Sequence, residues 1–178
     1  MTQYAVFLRG INVGGHNLVK MAELKDCLEK KGYKKVKTFL ASGNVLLEAE
    51  ETSPEKLETF LEAILEKQFG FPISVLVRRV EELRRLKDLH VFKDIPVTKE
   101  TRLYVTFLSE GAKGKLKIPY KDPDCDFRIL TLAEGALFSV LVVSGERGTV
   151  DAMGIIEKEF GKRVTTRNWN TVEKMLAV

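Results

Sequence analysis

Residues 8–21 read LRGINVGGHNLVKM, which places Arg9, His16 and Lys20 within one glycine-rich stretch between a short apolar run and a helical pattern. The gap from Gly10 to Gly15 is that of a P-loop. However, His16-Asn17 follows where a Lys-Ser/Thr pair would have to reach a terminal phosphate and its magnesium, and the spacing is not GxGxxG. Neither nucleotide fingerprint is met, so the chemistry on offer is more elementary. A helix beginning near Met21 has no Ser, Thr or Asp immediately before it, leaving first-turn amides without an evident cap. Those amides, together with Arg9, the backbone of Gly14 and Gly15, and Lys20, suit an anion. In the plainer alternative the glycines form turns and Asn12 or Asn17 caps the helix through a local bend.

A second constellation lies at 165–175, TTRNWNTVEKM. Arg167, Asn168 and the single tryptophan, Trp169, put a guanidinium, amides and an indole on one turn, a set able to hold a phosphate, a nucleobase or a sugar edge. The plainer alternative reads Asn170 and Glu173 as a capping box with Trp169 packed on the core. Ser42-Gly43-Asn44 is a hairpin signal, and Ser42 and Asn44 complete the candidate ligand set. In a simple plait the loop after the first strand is expected to lie apart from that hairpin tip.

Hydrolytic chemistry finds little material. His16 is the candidate general acid or base, whereas His90 reads as a residue at a helix end. Cys27 falls on an apolar helical stripe and reads as a core thiol. The pairs Glu50-Glu51 and Glu81-Glu82 read as solvated, and no metal-ligand spacing is visible, so neither a metal nor a cofactor is expected.

These residues have to be positioned by a globular scaffold. The 178 residues are 44% hydrophobic and 30% charged, enough for a real core. The net charge of +4 and pI near 9.0 lean toward an anionic partner without concentrating the charge anywhere. Two distant cysteines argue against a disulfide scaffold, and no apolar run approaches the roughly 20 residues of a membrane helix. A cytoplasmic protein with no membrane partner is expected.

The apolar spacing gives a strand over 4–8, a helix from Met21 stopped at Gly32, strands at 36–40 and 45–47, and a helix opened by Ser53-Pro54. That helix is expected to bury Leu57, Phe60, Leu61, Ile64 and Leu65, and a strand at 73–77 follows it. The order is βαββαβ, that of a ferredoxin-like plait. After a connecting helix near 80–89 it recurs: a strand at 103–108, a loose basic stretch (GAKGKLKIPYKDPDCD) in place of a helix, a hairpin across Glu134-Gly135, a helix at 149–160, a strand at 163–166 and a last helix from about Thr171. The expected architecture is therefore α+β, two ferredoxin-like plaits in one chain with a C-terminal helix. Its expected divisions are 1–79, a connecting helix and linker over 80–100, and 101–178. YAVFL and ALFSVLVV are apolar on both faces, so both sheets should be covered on both sides. A compact monomer is expected, with dimerisation through the sheets as the alternative.

Taken together, LRGINVGGHNLVKMAEL, the SGNV hairpin and TTRNWNTVEK resemble a widespread bacterial family known only as a domain of unknown function. The likeness runs over essentially the whole chain. It implies two ferredoxin-like subdomains and no established activity, cofactor or catalytic residue. The functional expectation is a binding module for a phosphate-bearing ligand, nucleotide or nucleic acid, held through Arg9, Asn12, Gly14, Gly15, Lys20, Ser42, Asn44, Arg167, Asn168 and Trp169. The alternatives are an enzyme acting on a small metabolite through His16, and a structural or protein-interaction role. Stacking of RNA bases on the sheet is disfavoured, because the strand at 137–143 offers only Phe138.

Overall fold

The structure is a computed structural model that describes residues 1–143 and 151–178. Thr149 and Val150, assigned above to a helix, lie outside the described residues. The chain divides into two units, Met1–Leu83 and Arg84–Val178. Among the described residues no helix is long and apolar enough to cross a membrane.

The first unit runs β1 (Thr2–Arg9), α1 (Met21–Lys30), β2 (Lys34–Phe39), β3 (Asn44–Ala49), α2 (Pro54–Phe69) and β4 (Ser74–Arg79), with an antiparallel sheet ordered β2-β3-β1-β4. This is the plait topology. Tyr4, Val6, Leu8, Val45, Leu47, Val75 and Val77 meet Leu24 and Leu28 of α1 and Leu57, Leu61 and Leu65 of α2 in one core. The alternate residues Ala5, Phe7, Leu46 and Leu76 face away from those helices and are buried as well, as the unbroken apolar runs required. Local signals act as read: Ser53 Oγ accepts from Lys56 N at 3.3 Å ahead of Pro54, and Gly70 ends α2 at φ 82°. At the end of α1, Gly32 N–H reaches Glu29 O and Tyr33 N–H reaches Leu28 O, the paired bonds of a Schellman stop.

One expectation about α2 fails. Phe60 is 62% exposed and Ile64 only half-buried, while Glu58 takes the inward position. The reason lies at the sheet edge. Among the described residues β4 has no strand beyond it, and Glu58 and Glu62 supply acceptors there: Val77 N–H donates to Glu58 Oε1 and Val75 N–H to Glu62 Oε1, each at 2.9 Å. Four residues of helix rise about 6 Å and two residues of strand about 6.8 Å, so carboxylates at i and i+4 match alternate amides of an extended chain. The buried stripe turns toward residue 58, and Phe60 turns outward.

In the second unit β5 (Thr101–Leu108), β6 (Tyr120–Lys121), β7 (Phe127–Ala133), β8 (Ala136–Val142) and β9 (Val164–Asn168) form a sheet ordered β6-β7-β8-β5-β9. Without the short β6, this is the same permutation. The hairpin across Glu134-Gly135 forms as read, both residues having positive φ (44° and 71°). The segment 109–119 replaces the plait's first helix and is tied to α4 (Ala152–Phe160): the Glu159 carboxylate accepts from the amides of Lys115 and Leu116. α5 (Trp169–Leu176) starts two residues earlier than expected. Its N-cap is Asn168 without a side-chain bond, so the capping box from Asn170 does not form. α3 (Val80–Asp88) lies across the division between the units in sequence, with Leu83 and Leu86 buried and Leu89 exposed.

Two stability predictions follow from this framework. Glu58→Leu strands the Val77 amide and should lower unfolding free energy by about 1–3 kcal/mol, whereas Glu58→Gln, which keeps an acceptor, should cost less; urea unfolding of both variants checks this. Gly43 and Gly70 share positive φ (76° and 82°), but only at Gly43 would a Cβ meet other atoms, Leu8 Cβ at 2.7 Å and Ile11 Cδ1 at 2.8 Å. Gly43→Ala should therefore lose clearly more stability than Gly70→Ala in the same assay.

Candidate functional site

In the first unit the glycine-rich stretch folds into a closed miniature hairpin. His16 N–H donates to Val13 O at 3.0 Å across Gly14 and Gly15, whose φ values of 58° and 78° are those of a primed turn. Asn12 and Asn17, both at φ 53°, close it below through Asn12 N–H to Asn17 O at 3.1 Å. The Asn12 side chain is fully engaged: Oδ1 accepts from Val19 N at 2.8 Å, while Nδ2 donates to Val19 O at 2.9 Å and Ala41 O at 2.7 Å. Asn17 Nδ2 donates to Gly10 O. Neither asparagine caps α1, whose N-cap Lys20 makes no side-chain cap bond and pairs with Glu23 at 3.3 Å. Arg9 is half-buried and partnered, and His16 is exposed on the hairpin.

The bond from Asn12 to Ala41 corrects the expectation that this loop and the β2–β3 tip lie apart. Antiparallel pairing sets the end of β1 against the start of β3, with Phe7 opposite Asn44 and Leu8 N–H donating to Gly43 O at 2.8 Å, so the two loops adjoin. Asn44 is the first residue of β3 rather than a turn residue. It is fully buried, and its Nδ2 donates to Phe39 O and Ser42 Oγ, each at 2.9 Å. Asn12, Ser42 and Asn44 thus hold the loops in shape.

In the second unit Arg167 is half-buried on β9, and burial lowers its pKa to about 10. Its Nη1 donates to Thr165 Oγ1 at 2.8 Å and to Thr166 O at 2.9 Å. Asn168 is exposed. Trp169 is 7% exposed and packs in a trio of rings: Phe138 at 5.4 Å and Phe92 at 5.8 Å from its centroid, with Phe92 and Phe138 5.5 Å apart, all steeply inclined.

Beside this trio lies a cleft of about 250 Å³. The end of α3 contributes Lys87 and the turn after it His90 and Lys93, all exposed; Phe92, Leu103 and Trp169 supply apolar surface; α5 adds Asn170 and Glu173. Lys87, His90 and Lys93 line one cleft where the chain leaves α3 in successive three-residue turns, His90 N–H to Lys87 O and Lys93 N–H to His90 O, each at 3.1 Å. His90 adopts φ 49°, which ends α3 and redirects the chain. Among the described residues none of Lys87, His90, Lys93 and Glu173 is in an ion pair. The sequence reading missed this turn. The available signal was K-x-x-H-x-x-K at 87–93, in step with the leucines at 83, 86 and 89.

Other places among the described residues offer less. A groove of about 580 Å³ in the first unit, near Tyr33, Leu57 and Phe60, is flanked by Glu51, whose carboxylate is engaged by Thr2 and by Arg79 at 2.5 Å; these bonds hold it below the usual carboxylate range. Cys27 and Cys125 are buried, and burial raises both thiols, the reverse of nucleophile activation. No group of three or more metal-ligating side chains occurs among the described residues.

Comparison with known proteins gives a family and a fold. No curated protein matches the chain. A conserved bacterial protein, SP0830 from Streptococcus pneumoniae, superposes with a TM-score of 0.70 at 25% identity, over 99% of this chain and 97% of its own. The family described as "Protein of unknown function (DUF1697)" matches residues 1–124. With the double plait and the three motifs in view, the chain belongs to that family of unknown function, DUF1697.

Proposed function

We propose that this chain is a binding module whose ligand carries a phosphate, received in the cleft between the 87–93 turn and the start of α5. The observation that carries this reading is that Lys87, His90 and Lys93, in no ion pair among the described residues, line one concavity beside the packed rings of Phe92, Phe138 and Trp169. Two ammonium groups and an imidazole supply many donors and positive charge at the mouth of a partly apolar recess, a composition that favours a doubly charged phosphate over a neutral metabolite. Of the residues named from the sequence, Trp169 lines this cleft and Asn168 caps the helix that forms one side of it. Gly14, Gly15 and His16 belong to the miniature hairpin of the other unit, Arg9 ends its β1 and Lys20 precedes its α1, and none of them takes part.

Trp169 is the protein's single tryptophan, so its emission reports on the cleft directly. Titration with inorganic phosphate, ribose 5-phosphate, AMP and a short 5′-phosphorylated RNA should give a saturable change with at least one of them, weakening as salt rises. Adenosine and ribose should give none. The double variant Lys87→Ala, Lys93→Ala should keep its far-ultraviolet circular dichroism and lose about tenfold or more in affinity, roughly 1.4 kcal/mol. An emission and a calorimetric heat that no phosphate compound alters would remove the proposal.

A further inference from the structure

The cleft is not uniformly cationic. Glu173 faces it from α5 as a half-buried carboxylate without an ion-pair partner among the described residues, and Asn170 lines it one turn earlier on the same helix face. An ionised carboxylate only accepts hydrogen bonds, so a bare phosphate would gain the two ammonium groups and the imidazole and meet a repelling charge. A ligand that carries hydroxyl groups next to its phosphate would instead give Glu173 donors to accept from. Asn170, with both a donor and an acceptor, would serve the same hydroxyls.

Size and ring packing narrow the class further. A recess of about 250 Å³ is below the range of full small-molecule pockets and takes a sugar-sized group, so an attached base would lie outside it. Trp169 is no stacking platform either, since Phe92 and Phe138 already pack against its indole at 5.8 and 5.4 Å. Resting on the reading of this cleft as a phosphate site, we infer that the group it recognises is a sugar phosphate: the phosphate held by Lys87, His90 and Lys93, the sugar hydroxyls by Glu173 and Asn170. A free pentose phosphate and the terminal ribose phosphate of a nucleotide or RNA share this chemistry.

Calorimetric titration of the full chain separates the cases. Ribose 5-phosphate should bind at least tenfold more tightly than inorganic phosphate. Glu173→Gln should lose most of that preference, by weakening ribose 5-phosphate about tenfold while leaving inorganic phosphate unchanged or tighter. AMP or a short 5′-phosphorylated RNA that matches ribose 5-phosphate assigns the sugar to a nucleotide end, and their failure to match it assigns a free sugar phosphate. Equal affinity for inorganic phosphate and ribose 5-phosphate, or a Glu173→Gln variant that strengthens both alike, overturns the inference and leaves the phosphate site standing. Absence of binding by every phosphate compound overturns both.

Discussion

The packing of Phe92 against Phe138 and Trp169 is the contact on which the candidate site depends. Phe138 belongs to β8 and Trp169 opens α5, so a ring from the turn after α3 touches the sheet and the terminal helix at once. Each inclined ring pair adds about 0.5–1.5 kcal/mol beyond the apolar area it covers. Of the neighbouring residues His90, Lys93 and Asp94 are exposed, while Val91 and Ile95 are half-buried. With Phe92 fixed, Lys87, His90 and Lys93 are carried on a backbone of consecutive short turns, and their spacing follows from the turns rather than from contacts among the side chains.

The same economy governs the sheet of the first unit, where an edge strand has to find acceptors for amides that no further strand receives. β4 takes them from Glu58 and Glu62 on α2, while β2, at the other edge, carries Lys34, Lys35 and Lys37 and a register shift between 34 and 37. One edge is closed by internal carboxylates, the other protected by charge and irregularity. The choice has a visible consequence for packing, since turning Glu58 inward turns Phe60 out.

Much of this was legible in the sequence. Period-two and period-3.6 spacing gave the strand and helix order, Ser53-Pro54 and Gly70 marked the ends of α2, and Glu134-Gly135 marked its hairpin, because each of these signals acts within a few residues. What escaped was long-range or ambiguous in kind. An inward Glu58 cannot be read from a helical stripe in which Phe60 fits the apolar spacing as well, since its reason is a strand amide 19 residues away. Asn170 and Glu173 satisfy a capping-box spacing, but β9 runs straight into α5 and starts the helix at Trp169. Lys87, His90 and Lys93 look like scattered surface charge until the turns bring them into line.

The glycine-rich stretch shows why a motif has to be judged by where its backbone groups go. Gly14 and Gly15 supply the positive φ of a tight turn, Asn12 and Asn17 close that turn below, and the Asn12 side chain ties it to Val19 and to the neighbouring hairpin. A phosphate cradle needs amides aimed outward together; a miniature hairpin directs part of them across its own ladder. Residue types that suit an anion in a string of letters are here the types that suit a left-handed turn. The basic residues that line a concavity together stand instead at 87–93, a stretch without glycine whose left-handed residue is His90.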